Sequence, residues 1–194
     1  MIVVKLGGSL LNKPILKRWL CLAAEQGKGR VVLVAGGGVF ADQVRLQQQQ
    51  WQYNERTAHR MAILAMQQMA LLFKGLCEQL EIVGSIADIA HSLQLAKAVI
   101  WSPSIAELDA AGLEESWAIT SDSLAAYLAT QLQAQQLILV KSAQIADSNN
   151  LQQLSEQGIV DKAFLGFAQQ YNRPVACLSS EQLSDFEQRL KHYV

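Results

Sequence analysis

Met1-Ile-Val-Val-Lys5-Leu-Gly7-Gly8-Ser9-Leu-Leu11 opens the chain, and how this stretch is read decides the fold. Ile2-Val3-Val4 shows no polar alternation, which suits a strand buried on both faces in a parallel sheet covered by helices. Lys5 is the anomaly, because a lysine at the end of a buried strand loses hydration unless its charge has a partner. Gly7 and Gly8 lack a Cβ, so their backbone can approach a ligand closely. A lysine ammonium beside exposed amides is a set of groups that binds phosphate. The competing reading of these residues alone is a tight turn, with Lys5 snorkelling to water along its stem.

The motif partly recurs. Arg30-Val-Val-Leu-Val-Ala35 is a second apolar strand that runs into Gly36-Gly37-Gly38, and the stretch between the two strands carries helical apolar spacing from Pro14 onward. Strand, helix, strand places both glycine turns at the carboxyl edge of one parallel sheet, where open α/β sheets bind ligands. Further on, Leu137-Ile-Leu-Val140 ends in Lys141-Ser142 and so repeats the opening pattern of four apolar residues followed by a lysine. Helices are expected at 39–50, 55–80, 86–96, 105–113, 123–135, about 164–171 and 181–193. Short strands are expected near 81–84, 98–101 and 174–178, and 143–150 reads as a polar loop. The glutamine run Gln47 to Gln50 reads as a solvated helix face. The 55–80 helix is apolar on more than one side, so it is expected either in the core or against a second subunit, and a homo-oligomer is expected. The fold class is therefore α/β, a three-layer α/β/α sandwich with a mainly parallel sheet, formed as one domain over 1–194.

Composition limits the functions open to such a chain. With 194 residues, 51% hydrophobic and 17% charged, and a formal net charge of -1, it has no general attraction to nucleic acid or acidic membranes. No stretch approaches the ~20 uninterrupted apolar residues of a spanning helix. A cytoplasmic protein is expected. Cys21, Cys77 and Cys177 are isolated and fit reduced thiols. The three histidines are scattered, so metal hydrolysis and Cys-His catalysis lack candidates, and neither a Walker A loop nor G-x-G-x-x-G is present.

One sheet edge thus collects Lys5, Gly7-Gly8-Ser9, Gly36-Gly37-Gly38, Ser121-Asp122, Lys141-Ser142 and, at a helix start, Lys162. Phosphoryl transfer asks little covalent chemistry of a protein; it needs cations and amide donors around the moving group, and something to hold those cations. Near the start of the long helix, Arg56, His59 and Arg60 read either as a solvated basic helix end or, facing the crevice, as positive charge for the far end of an anionic acceptor. Arg56 and Arg60 are four apart and share a helix face, and Arg45 precedes them.

Four blocks in order resemble the amino acid kinase superfamily, which includes acetylglutamate, aspartate, uridylate and isopentenyl phosphate kinases. They are Lys5-Leu-Gly7-Gly8-Ser9, then Gly36-Gly37-Gly38, then Ile119-Thr-Ser121-Asp122-Ser-Leu-Ala-Ala with the Leu-Ile-Leu-Val strand, and Gly158-Ile-Val-Asp161-Lys162-Ala. The resemblance implies ATP with Mg2+, with Lys5 and Lys162 on the transferred phosphoryl group, Asp122 organising them, and the glycine turns supplying amides on either side. Lys141 competes with Lys162 for the role of second lysine. Lys141-Ser142 stands where the family usually has Thr-Asp, and the stretch between Ser142 and Gly158 is short for the usual nucleotide-binding elements. Thr57-Ala-His59-Arg60-Met-Ala-Ile-Leu-Ala resembles a uridylate kinase helix, but His59 replaces the acid that holds the ribose there, which argues against UMP. Compact length and Ser116-Trp117 ahead of Ile119-Thr-Ser121-Asp122-Ser123 look most like the small kinases of methanofuran biosynthesis, which convert an aminomethylfuran phosphate to a diphosphate. The expected acceptor is a small-molecule phosphomonoester; the alternatives are an amino-acid carboxylate, or a sensor of the same fold without turnover.

Overall fold

The computed structural model describes residues 1–142 and 150–192. Six strands form a single sheet: β1 (Ile2–Leu6), β2 (Val31–Ala35), β3 (Glu81–Val83), β4 (Val99–Trp101), β5 (Gln136–Lys141) and β6 (Val175–Ser179), in the order β3-β4-β2-β1-β5-β6. Every pairing among the described residues is parallel. The sheet is therefore fully parallel where a mainly parallel one was expected. β1 lies at its centre, and all five of its residues are buried, in accord with its unbroken apolar run. The polar 143–150 loop falls outside the described residues except for its last residue.

Helices α1 (Ile15–Gln26), α2 (Gly38–Trp51), α3 (Glu55–Leu76), α4 (Ile86–Gln94), α5 (Ile105–Ala110), α6 (Ser121–Gln131), α7 (Leu151–Glu156), α8 (Phe164–Tyr171) and α9 (Leu183–His192) connect or follow these strands. Alternate strand residues feed two cores. Ile2, Val4 and Leu6 pack with Trp19 and Leu20 of α1, Phe73 of α3 and Phe186 of α9 on one face. Val3, Val34, Leu137 and Leu139 pack under Leu124 and Leu128 of α6 and Phe164 of α8 on the other. The helices on both faces make the expected three-layer sandwich. Side chains alternate along a strand, so Lys5 follows Val3, and Lys141 follows Leu139, onto the face covered by α6. Since Lys5 pairs with Leu139 in register, the two lysines are diagonal neighbours beneath that helix.

The long helix is shorter than its pattern. It ends at Leu76 because Cys77 turns to extended backbone (φ -145°), and the Lys74 ammonium closes the turn by donating to the Leu80 carbonyl at 2.7 Å. Asn54 caps its start by accepting from the Thr57 amide at 2.8 Å. No helix among the described residues is long and apolar enough to cross a membrane.

Candidate functional site

At the carboxyl edge of the sheet, two lysines share one carboxylate. Lys5 Nζ lies 2.9 Å from Asp122 Oδ1, and Lys141 Nζ donates to Asp122 Oδ2 at 2.7 Å. All three are buried, at 4%, 9% and 4% exposure for Lys5, Lys141 and Asp122. The Lys5 contact is a close ion pair without hydrogen-bond alignment, whereas Lys141 donates both to Asp122 and to the Ile159 carbonyl, the latter at 2.6 Å. Asp122 sits in the first turn of α6, where the helix N-terminus favours negative charge. Burial works to raise its pKa; Lys5 and Lys141 overcome that and hold it below the usual carboxylate range. Lys141 is pushed down to about 8, first by burial and then by the positive charge of Lys5, with Asp122 opposing. The cluster therefore carries one net positive charge, close under the sheet edge.

The glycine turns lean on each other. A Cβ on Gly8 would sit 2.3 Å from the Gly38 nitrogen, and one on Gly36 would sit 2.6 Å from the Gly8 nitrogen; no side chain fits at either position. Gly38 has φ +55° and starts α2, so the first amides of that helix, with no carbonyl four residues behind them, lie beside Gly8. Gly7 was expected to offer its amide to phosphate, but it donates to the Val140 carbonyl at 2.9 Å and so ties β1 to β5; Gly36 likewise donates to Leu6. Ser9 and Ser142 meet through their hydroxyls at 2.7 Å.

Two cavities flank this cluster: Asp122 lines the second, and its neighbours Thr120 and Ser121 line the first. The first, about 260 Å3, has Gly8, Ser9, Gly36, Gly37 and Gly38 at one end. Its walls are two helical stripes at matching spacing, Gly38, Ala41, Asp42 and Arg45 of α2 and His59, Ala62, Ile63 and Met66 of α3. Trp117 closes the far end: Arg45 stacks on its ring at 4.1 Å, and its indole N–H donates to Gln48 at 2.7 Å. His59 is buried there, with Nδ1 3.0 Å from the Ser116 carbonyl; a carbonyl only accepts, so that nitrogen carries the hydrogen. Ser121 also lines this cavity. The second, about 480 Å3, is lined by Asp122, Thr120, Gly158 to Lys162, Ser155 and Glu156, and shares Arg45 and Trp117 with the first.

The sequence-expected residues divide accordingly. Lys5, Asp122 and Lys141 converge. Lys162 does not join them: it is exposed at the second cavity. Arg56 and Arg60 depart from expectation, because their shared helix face is rotated from the stripe of His59, Ala62 and Ile63. It meets Glu115 and Asp109, with Arg56 2.9 Å from Glu115 and Arg60 2.6 Å from both acids, and neither arginine lines the first cavity. Arg60 accordingly holds the Glu115 carboxyl below its usual range. Among the described lining residues of the first cavity, Arg45 is the permanent cation.

Asp161 went unread as a working residue. Its carboxylate accepts from the Thr120 amide and hydroxyl at 2.9 and 2.8 Å, from the Ser123 amide at 3.0 Å, and from the Ser123 hydroxyl. It thus caps α6 from outside and pins 158–163 to the turn that carries Asp122. Gln48 was also missed inside the glutamine run. Its spacing from Arg45, three residues on, was the available signal.

An open parallel sheet whose carboxyl edge gathers two lysines on one carboxylate, between two cavities, defines an α/β protein built to hold anionic ligands. The chain belongs to the amino acid kinase family, whose profile matches residues 1–153. Over 141 residues it is 32% identical to the [5-(aminomethyl)furan-3-yl]methyl phosphate kinase of Methanocaldococcus jannaschii, a match covering 72% of this chain and 64% of that relative, which is under two thirds of its length. The fold is shared with uridylate kinase from Archaeoglobus fulgidus (TM-score 0.72, 16% identity, 98% of this chain and 95% of that one). It is likewise shared with isopentenyl phosphate kinase (TM-score 0.67, 14% identity, 98% and 96%).

Proposed function

We propose that the protein is an ATP-dependent kinase that phosphorylates a small phosphomonoester to a diphosphate. The observation that carries this reading is the buried Lys5–Asp122–Lys141 cluster, with Asp122 in the wall of the second cavity and its neighbour Ser121 in the wall of the first, which has helix-start amides at one end and Arg45 as the permanent cation among its described lining residues. The acceptor enters the first cavity and the nucleotide triphosphate the second, so that the phosphates meet beside Asp122. An acceptor phosphate oxygen attacks the γ-phosphorus, the bond to the β-phosphate oxygen breaks, and ADP leaves. The attacking oxygen is already anionic, so no general base is required. Lys5 and Lys141 stabilise the charge on the phosphoryl group in transit while Asp122 keeps them in place, and Lys162 reaches the nucleotide phosphates from the rim.

No group of three or more His, Cys, Asp or Glu suited to a metal occurs among the described residues, and Asp122 and Asp161 are already engaged. This donor set fits magnesium that arrives on the nucleotide phosphates, as such ions usually do; when bound it neutralises phosphate charge. The small first cavity, below the usual ~300–1,000 Å3 of ligand sites, suits a single small ring with its phosphate. The aminomethylfuran phosphate named for the M. jannaschii relative is of that size and is the best candidate acceptor. A cytoplasmic setting, where ATP is available, and a homo-oligomeric state belong to the same reading.

The test is turnover with ATP-magnesium against phosphomonoesters, amino-acid carboxylates and neutral alcohols, with diphosphate product followed by phosphorus NMR. A neutral alcohol outcompeting every anion would refute the acceptor class. Tight ATP binding without turnover on any acceptor would favour the sensor.

A further inference from the structure

We propose that Asp42 selects an acceptor that carries a primary ammonium as well as its phosphate, so that the first cavity reads a zwitterion; this rests on the kinase reading above. Of the α2 residues that line the cavity, Gly38, Ala41, Asp42 and Arg45 form a stripe at i, i+3, i+4 and i+7, and the stripe is ordered in charge. The helix start attracts anions. Asp42 follows about 6 Å along the axis and Arg45 about 10 Å. Among the described lining residues Asp42 is the carboxylate and Arg45 the permanent cation, a matched pair for a ligand with one charge of each sign. The opposite wall, Ala62, Ile63 and Met66 with Ile119 and Leu124, is apolar and suits the flat body of a small ring.

The two charges form only a long, exposed i,i+3 ion pair with each other, which a ligand displaces at little cost. Asp42 Oδ1 and Arg45 Nη1 are 3.7 Å apart, beyond hydrogen-bond distance, with side chains 67% and 48% exposed. Arg45 is held by stacking on Trp117, so its place does not depend on Asp42. A carboxylate in a site for an anionic acceptor works against binding unless the acceptor brings a cation to it. That cost makes Asp42 a discriminator: it weakens plain phosphomonoesters and strengthens those with an ammonium within reach.

The experiment is calorimetric binding and, separately, turnover of two acceptors, aminomethylfuran methyl phosphate and the analogue with hydroxymethyl in place of aminomethyl, on the wild type and on Asp42→Asn. Wild type is expected to bind the amine roughly tenfold more tightly than the hydroxyl analogue, as for a partly exposed charge-assisted hydrogen bond. Asp42→Asn is expected to remove that preference, by weakening the amine and leaving the analogue unchanged or tighter. Equal loss for both acceptors, which an indirect effect through Arg45 would give, overturns the proposal; so does a wild type that binds neither acceptor or shows no preference. Selective binding without turnover would refute the kinase reading and leave the ammonium site standing.

Discussion

Asp122 and Lys141 face each other at 2.7 Å under the first turn of α6, with both side chains nearly sealed from water. Removing the acid leaves two buried ammonium groups on one another, Lys5 and Lys141, so Asp122→Ala is expected to cost stability of about 3–5 kcal/mol, the usual consequence of breaking a buried pair. Activity should disappear with it. Asp122→Asn keeps the shape and one acceptor oxygen and is expected to fold better while still losing most turnover. Chemical unfolding of both variants beside a turnover assay checks this, and an Asp122→Ala protein as stable as wild type would contradict the geometry.

The depressed Lys141 pKa gives a pH dependence with a definite sign. Lys141 loses its proton at about 8 in the folded protein and near 10.4 unfolded, so between those values the unfolded chain binds more protons. The contribution of this group to stability therefore rises with pH across that window and is a constant cost below it. Catalysis moves the other way, because the ammonium is the working form: kcat/KM is expected to fall as pH rises through about 8. Lys141→Arg cannot lose its charge in this range and should lack that limb. An unchanged alkaline limb in Lys141→Arg would assign it to another group.

The sheet edge was legible because buried parallel strands leave an unmistakable record, an apolar run followed by an abrupt charge or glycine. Lys5, Lys141 and both glycine turns were found that way. The opposite errors share one cause, the rotational phase of helices. Arg56 and Arg60 share a face, as their spacing requires, but spacing alone does not say toward what that face turns; Glu115 and Asp109, distant in sequence, claim it. Arg45 falls on the cavity stripe, and Gln48 accepts from the Trp117 indole behind it, only once α2 and α3 are packed against each other. Gly7 shows the same limit for backbone, since its amide is consumed by a strand 133 residues further on, at Val140.

Asp161 and Lys162 are neighbours with separable effects. Asp161→Ala strips four hydrogen bonds from the start of α6, and is expected to cost about 2 kcal/mol, as lost caps and charged hydrogen bonds do. It should also lower kcat, since the turn it holds carries Asp122. Lys162→Ala removes an exposed side chain and should leave unfolding unchanged while raising the KM for ATP and lowering kcat. Thermal unfolding and initial rates on the two variants separate these outcomes. A destabilised Lys162→Ala, or an Asp161→Ala with native stability, would reverse the assignment.

Gly8→Ala places a methyl group 2.3 Å from the Gly38 nitrogen and 2.5 Å from its Cα, where both neighbours are backbone and cannot rotate aside. The turns must separate, opening the glycine end of the first cavity. Loss of turnover is expected with destabilisation of roughly 2–4 kcal/mol, in the range for overpacking plus backbone strain. Gly166→Ala, inside α8 with nothing within 4 Å, should instead be neutral or stabilise by about 0.5–1 kcal/mol through helix propensity. Unfolding of both variants, with turnover for Gly8→Ala, makes the comparison.

The outer face of α3 supports the last prediction. Met61, Leu64, Leu71 and Leu76 are 36%, 45%, 65% and 37% exposed, and with Gln68 and Gly75 between them positions 61, 64, 68, 71 and 75 alternate by three and four along about 21 Å of helix. A seam of that period is what two helices bury when they pack together. On one rigid helix it is self-complementary under a two-fold axis, since the same patch is offered by each copy. The inner face of α3 is already committed, with Phe73 and Met69 fully buried, so burying the outer face leaves the cavity wall in place. Light scattering on the purified protein is expected to report a dimer or a higher even oligomer. Leu64→Glu combined with Leu71→Glu puts charge on the seam and should give monomers that keep the fold by circular dichroism. A wild-type monomer at micromolar concentration would show that the seam is solvated, and an oligomer indifferent to both glutamates would place the interface on another surface.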